Sequence, residues 1–204
     1  QIVGSEQALK PGDGRAREAA VMFVDLRGFT RLAGRIEPGE VMSLLAEYQR
    51  IVVPLVNANR GSVTTFLGDG VMITFGAVKP SLTYAADALR CTQQLLDAMA
   101  EWSNDRAAAG LPPLGVGIGV ATGTVTVGVI GDESRLEFAA IGDTTNRAAK
   151  LQNHTKAEQV GALTTAITLE RAVAQGYAAD RAAGALRRRQ VDGVEGTMDL
   201  VVIR

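Results

Sequence analysis

The segment TTFLGDGVMITF, residues 64–75, decides the fold because two short apolar runs flank Gly68-Asp69-Gly70. Runs of β-branched and aromatic residues favour strands, and a glycine-rich pair between them is typical of a tight hairpin. The predicted hairpin carries one carboxylate, Asp69, at its tip. No basic residue precedes that aspartate within the segment.

The elements around this hairpin predict a mixed α+β domain. The run AAVMFVDL, residues 19–26, is apolar at successive positions, which is typical of a buried central strand. Apolar residues recur at helical spacing after Pro38 and again after Ser81. We expect Pro54 to bend or shorten the first helix and Gly61 to end it. Strand, helix, hairpin, helix and strand, in that order, predict a ferredoxin-like βαββαβ core.

The remaining residues predict a C-terminal extension of this core. The segment LGVGIGVATGTVTVGVIG, residues 114–131, indicates two strands broken near Gly123. RLEFAAIGD indicates another short strand, and TTNRAAKLQNH begins a helix. A strand at about 160–163, a helix from about 167 to 175 and two further strands follow.

Composition indicates one globular domain with a short N-terminal appendage. The 204 residues are 47% hydrophobic and 21% charged, which suffices to fill a core. Residues 1–18 are polar and indicate a linker from a missing upstream region, which leaves 19–204 as the domain. Because the chain begins with Gln1 and not with Met, we expect it to be part of a longer protein.

Charge and the rarest residue types argue against several classes of function. A formal net charge of −1 argues against a nucleic-acid partner. The single Cys91 excludes an intramolecular disulfide and is expected in the core, and with the single His154 it argues against a zinc site or a Ser-His-Asp triad. No segment has the features of a membrane span or a signal peptide, so we expect a cytoplasmic domain, with membrane tethering of the parent protein left open.

Two carboxylates are predicted at the same end of the sheet. Asp25 ends the first strand and Asp69 lies at the hairpin tip, and these strands are neighbours in a βαββ core. Such a pair repels unless a cation lies between, and its oxygen atoms suit Mg²⁺ or Mn²⁺. Gly28 permits a tight turn, and Phe29 and Thr30 begin a short helix whose free N–H groups suit phosphate. Metal ligands beside a phosphate-binding turn indicate a nucleoside triphosphate.

Each feature alone is typical of an ordinary turn, but four segments together are specific. FVDLRGFT, FLGDGVMITFG, GIGVATGTVTVGVIG and AAIGDTTNRAAKLQ resemble, in order and spacing, the catalytic domain of the class III nucleotidyl cyclases. The resemblance covers residues 19–204. The preceding segment resembles the linker that joins such domains to an upstream sensor or regulatory domain.

The resemblance implies an adenylate cyclase, a lyase that converts ATP, or GTP in guanylate cyclases, to a 3′,5′-cyclic nucleotide and pyrophosphate. It implies two Mg²⁺ or Mn²⁺ ions held by Asp25, Asp69 and the backbone carbonyl of Leu26. It also implies a head-to-tail homodimer, in which the second subunit supplies Asn146 to orient the ribose. One helical turn later the family has an Arg that stabilises the transition state, and this chain has Lys150.

The residues that would recognise the purine depart from the family pattern. Adenylate-specific members carry Lys where this chain has Thr65, paired with Asp or Thr where it has Ala139, and guanylate-specific members carry Glu at the first position. Thr65 donates or accepts only weakly and Ala139 does neither, so we expect poor discrimination between bases. Gly115 and Gly117 stand where the family often has an Arg.

Three hypotheses stay open from the sequence. The first is an active cyclase that makes cyclic AMP. The second is a degenerate domain that binds nucleotide or dimerises without turnover. The third is a guanylate cyclase, a cyclase with relaxed choice between ATP and GTP, or a cyclase of some other nucleotide. Asp192 and Glu195, where relatives often have Lys, further reduce the positive charge available to a triphosphate.

Overall fold

The computed structural model of the chain describes residues 13–132 and 135–204. In chain order the elements are β1 (Gly14–Arg27), α1 (Phe29–Ala33), α2 (Pro38–Ala58), β2 (Gly61–Leu67), β3 (Gly70–Phe75), α3 (Tyr84–Ala108), β4 (Gly115–Asp132), β5 (Arg135–Ile141), α4 (Asp143–His154), β6 (Ala162–Thr165), α5 (Ala166–Ala174), a 3₁₀ turn (Ala179–Arg181), β7 (Ala182–Gln190) and β8 (Thr197–Ile203).

One sheet contains all the described strands, in the order β2-β3-β1-β4-β6-β8-β7, with β5 paired to β4 beside this path. The central strand β1 pairs antiparallel with β3 on one side and with β4 on the other. The order of the first four strands and the helices between them are those of a ferredoxin-like βαββαβ core. The predicted fold class, with its C-terminal extension, is therefore confirmed.

Apolar side chains cover both faces of this sheet. On one face, Met22 and Val24 of β1 pack with residues of α2 and α3 such as Tyr48. On the other face, Val21 packs with Leu151 of α4. Because successive side chains of a strand alternate between faces, burial on both sides explains the unbroken apolar run in β1.

Strand β1 begins earlier than predicted. It starts at Gly14, and its first residues pair with the distal half of β4. Residues 14–18, predicted as part of a linker, therefore belong to the strand, while residues 1–12 lie outside the described residues. The sequence gives no apolar signal here because residues 14–18 alternate between exposed and half-buried positions.

The segment predicted as two strands is the single 18-residue strand β4. Gly123 pairs with Ala19 without interruption. Its lack of a side chain provides space, since a Cβ atom there would lie 2.5 Å from Oγ1 of Thr144 in α4. The glycine therefore marks the close approach of a helix and not the end of a strand.

Gly61 does not end α2, contrary to the prediction. The helix continues through Pro54 to Ala58, and the left-handed residue that follows is Arg60, with φ of 62°. Gly61 already belongs to β2. A Cβ atom there would lie 2.7 Å from the ring of Phe75 and 2.8 Å from Cγ1 of Val56, so close packing is its role.

The predicted hairpin turn and the predicted burial of the cysteine are confirmed. Gly68 and Asp69 form the tight turn between β2 and β3, with φ of 70° at Gly68. Cys91 is a buried core residue, and burial raises the pKa of its thiol to about 12. Among the described helices, none combines the length and apolar character that a membrane crossing requires.

Gly119 is a critical point for the packing of α4 on β4. A Cβ atom there would lie 2.2 Å from the backbone nitrogen of Gln152 and 2.3 Å from the carbonyl oxygen of Ala148. Because both contacts are with helix backbone, the whole helix would have to move. We expect Gly119→Ala to lower the free energy of unfolding by about 1–3 kcal/mol or more, measured by urea denaturation.

The matched control is Gly39→Ala, in the first turn of α2, where a Cβ atom would meet nothing within 4 Å. Alanine favours helix over glycine, so this variant should gain up to about 1 kcal/mol. Similar losses in the two variants would contradict the packing argument.

Candidate active site

The strand register brings Asp25 and Asp69 together. Asp25 pairs with Gly70, the residue that follows Asp69 in the hairpin turn. A Cβ atom on Gly70 would lie 3.7 Å from Oδ1 of Asp25, and the two carboxyl groups are within hydrogen-bonding reach of each other. The predicted pair thus lies at one end of β1.

Electrostatics at this pair favour a bound cation. Partial burial, and then repulsion from the Asp69 carboxylate, raise the pKa of Asp25. The positive charges of Lys156 and Arg27 act in the opposite direction. A cation between the carboxylates would remove the repulsion and satisfy oxygen atoms that burial has taken from water.

A pocket of about 410 Å³ opens at the two carboxylates. Five residues predicted for the site line it: Asp25, Leu26, Gly28, Thr30 and Asp69. The three others that line it, Arg27, Arg31 and Lys156, are cationic and were not among the predicted site residues. Arg27 lies within the DLRGFT segment and Arg31 follows it directly, so both could have been suspected. Only the tertiary fold brings Lys156 to the pocket.

The turn after Asp25 has the predicted geometry. Gly28 is the N-cap of α1, with φ of 86°, a left-handed conformation that glycine adopts without steric cost. The side chain of Phe29 is buried in the core and does not line the pocket. Phe29 therefore fixes α1 on the sheet, and only its backbone remains available to a ligand.

The other predicted residues do not line this pocket within one chain. Asn146 is exposed on α4, and Lys150 is half-buried one turn further along. Thr65 lies where the register of β2 shifts, and Ala139 pairs with Gly128 of β4. A single chain thus brings together the carboxylates and the turn at Gly28, but not the residues expected to contact ribose and base.

The ammonium group of Lys150 lies against the turn between β7 and β8. A Cβ atom on Gly193 would lie 2.5 Å from its Nζ atom. Asp192 and Glu195 of this turn are exposed. The absence of a side chain at Gly193 therefore leaves space for Lys150. Asp192 and Glu195 are close to Gly193 in the sequence.

The donor atoms fit Mg²⁺ or Mn²⁺. Two carboxylates lie together, and Leu26, whose carbonyl would be the third donor, lines the same pocket. These are hard oxygen donors, with no sulfur or imidazole among them. Among the described residues, no three His, Cys, Asp or Glu side chains are placed so that together they could hold a metal ion. Water and phosphate oxygens would therefore complete the coordination.

The fold and this pocket define a domain with a ferredoxin-like core and a pair of carboxylates at one end of its central strand. The adenylate and guanylate cyclase catalytic domain matches residues 13–191. The chain therefore belongs to this family.

Relatives with assigned names include cyclases. Adenylate cyclase 1 of Rhizobium meliloti (strain 1021) is 33% identical over 140 residues, which cover 69% of this chain and 21% of the relative. Adenylate cyclase of Anabaena cylindrica is 31% identical over 149 residues, which cover 72% of this chain and 29% of the relative. The chain thus spans less than a third of the length of either relative.

Two solved structures show the same architecture. The guanylyl cyclase Cya2 is 29% identical and superposes with a TM-score of 0.80, over 95% of this chain and 94% of that one. The adenylyl cyclase CyaB from P. aeruginosa has a TM-score of 0.82 over 94% of this chain and 96% of that one. At 24% identity the second likeness supports the fold alone.

The raised pKa of Asp25 leads to a prediction for stability. The pKa of Asp25 is higher in the folded chain than its value of 3.8 in the unfolded chain. The native state therefore loses stability as the pH rises from 3.8 to the folded-state pKa. Without metal, Asp25→Asn should therefore raise the free energy of unfolding at neutral pH, and the gain should vanish below pH 3.8. Urea denaturation across pH measures this effect.

Manganese should reverse the order of stability of the wild type and Asp25→Asn. Mn²⁺ should raise the melting temperature of the wild type but not that of Asp25→Asn, since the variant lacks one ligand. Glu101→Gln, an exposed change on α3, is the control and should behave as the wild type. A gain from Asp25→Asn that persists in acid would contradict the electrostatic explanation.

Proposed function

We propose that this domain is a nucleotidyl cyclase that converts ATP to 3′,5′-cyclic AMP and pyrophosphate. The observation that carries the proposal is the Asp25–Asp69 pair beside the left-handed turn at Gly28. Relatives that are 31–33% identical and named adenylate cyclases support the choice of ATP. The product would serve as a signal, and the upstream part of the protein would regulate its synthesis.

The residues of the pocket have distinct parts in this reaction. Two Mg²⁺ or Mn²⁺ ions, held by Asp25, Asp69 and the Leu26 carbonyl, would activate the ribose 3′-hydroxyl and neutralise phosphate charge. By holding these ions, the carboxylates would fix the ribose 3′-hydroxyl relative to the phosphate that it attacks. The free N–H groups after Gly28 and the exposed hydroxyl of Thr30 suit the phosphate oxygens.

A homodimer would complete the site. In a head-to-tail pair, α4 of the second subunit would bring its Asn146 to the ribose and its Lys150 to the phosphate charge that develops in the transition state. Symmetry would then give two equivalent sites. Lys150 keeps the positive charge of the family's Arg but lacks its bidentate fork, so we expect slower turnover than an Arg would give.

The purine would be held weakly. Thr65 and Ala139 are both half-buried, yet neither carries a strong donor or acceptor for a base. We therefore propose relaxed choice between ATP and GTP, with ATP preferred. A second candidate function is nucleotide binding or dimerisation without turnover, which the same two residues and Lys150 beside its acidic turn favour.

A cyclase assay with ATP or GTP and Mn²⁺ tests the proposed function. We expect cyclic AMP from ATP, less cyclic GMP from GTP, and at least about a hundredfold loss of kcat in Asp25→Asn and Asp69→Asn. Lys79→Ala, an exposed change outside the pocket, is the control. A folded dimer that makes neither product would exclude catalysis and favour the second candidate.

Mixing two inactive variants tests whether the site is shared between subunits. Asp25→Asn and Asn146→Ala would damage opposite halves of each composite site. Random exchange of subunits places one intact site in the mixed dimers, so about a quarter of wild-type activity should return. No recovery after confirmed subunit exchange would argue against a shared site.

Restoring the family residues separates poor recognition from lost catalysis. The triple variant Thr65→Lys, Ala139→Asp and Lys150→Arg should raise kcat/KM for ATP by about tenfold or more, because it adds base hydrogen bonds and the bidentate fork. Lys150→Arg alone is the matched control for the base-recognition effect. An unchanged rate in the triple variant would place the limitation elsewhere in the dimer.

A further inference from the structure

Two cationic side chains of the pocket make no hydrogen bond or ion pair within the described part of the chain, although the charge of one of them, Lys156, acts on Asp25. Arg27 donates a hydrogen bond from its guanidinium to the carbonyl of Val160, and so has a structural partner. Arg31 and Lys156 are exposed, line the pocket with Asp25, and form no direct ion pair with another described residue. Unpaired cations in a pocket whose three cationic side chains outnumber its two carboxylates point to an anionic ligand.

Lys156 reaches this pocket because α4 ends directly on the strand beside Asp25. Asp25 pairs with Gly117 of β4. A Cβ atom on Gly117 would lie 2.9 Å from Oγ1 of Thr155 and 3.0 Å from Nε2 of Gln152. The end of α4 therefore occupies the space that a side chain at position 117 would take. Lys156 is the residue that directly follows Thr155.

The side chain of Arg27 covers Gly115 at ordinary van der Waals distances. The Cβ and Cδ atoms of Arg27 lie 3.5 and 3.6 Å from the place of a Cβ atom on Gly115. The two glycines, at the positions where the family often has an Arg on this strand, are thus covered by Arg27 and by the end of α4. Arg27 and Lys156 therefore bring positive charge to the part of β4 that pairs with Asp25.

We propose that Lys156 and Arg31 bind the phosphate tail of the nucleotide, from the same chain that supplies Asp25 and Asp69. This inference rests on the proposed function for the identity of the nucleotide. Two divalent ions offset two carboxylates and about half the charge of a triphosphate, and two further cations offset the rest. A planar guanidinium and a mobile ammonium suit phosphate oxygens in different geometries.

Binding of inorganic tripolyphosphate with Mn²⁺ tests this proposal without turnover. Lys156→Ala should weaken binding by about tenfold and Arg31→Ala by a similar factor, while Lys156→Arg should stay near the wild type. Isothermal titration gives the Kd, and the melting temperature shows that each variant is folded.

Matched controls exist for both residues. Lys79→Ala changes an exposed lysine outside the pocket, and Arg35→Ala changes an exposed arginine that lines only the neighbouring cavity. Both should bind tripolyphosphate as the wild type does. In the cyclase assay, Lys156→Ala should raise KM for ATP about tenfold with a smaller change in kcat.

The outcomes distinguish this inference from the proposed function. Lys156-dependent binding of tripolyphosphate without cyclic product would sustain the inference and refute the cyclase activity. Cyclic product with unchanged tripolyphosphate binding in Lys156→Ala would support the cyclase activity and refute the inference. Tighter Mn²⁺ binding in Lys156→Ala with unchanged tripolyphosphate binding would show that Lys156 only neutralises the carboxylates, and wild-type protein that fails to bind tripolyphosphate would also overturn the inference.

Discussion

The repulsion between two partly buried carboxylates is the constraint on which the rest of this domain depends. Asp25 lies on the central strand, and the register with β3 fixes Asp69 beside it. Like charges in such a position destabilise the folded chain, so the surrounding sheet has to hold them there. The long pairing of β1 with β3 and β4 provides that support, and positive charge from Lys156 relieves part of the repulsion.

The packing of α4 depends on an alternation that is visible in the sequence once the fold is known. In GVGIGVATG, residues 115–123, the large apolar residues are buried in one face of β4. Between them, Gly117, Gly119 and Gly123 are covered by α4 on the other face. This alternation lets the helix backbone lie almost directly on the sheet. Glycine in a strand here records the approach of another element.

Local signals in the sequence predicted the order of elements, the hairpin at Asp69 and the turn at Gly28. These features depend on neighbouring residues, whose preferences act alike in many folds. Gly61 and Gly123 were misinterpreted because their role is to leave space for residues distant in sequence. The same reason explains why Lys156 was missed, since only the crossing of α4 over β4 brings it to the carboxylates. The start of β1 was placed too late because its first residues, 14–18, contain no apolar run.

The pairing of strand β1 also limits how far Asp25 can move. It runs unbroken from Gly14 to Arg27 and is paired with β4 along its whole length. A slip of one residue would turn every side chain of the strand to the opposite face of the sheet, so that Val21 and Met22 would exchange the faces on which they pack. Sliding of this strand is therefore prevented. Asp25 therefore keeps its position relative to both neighbouring strands unless that pairing is broken.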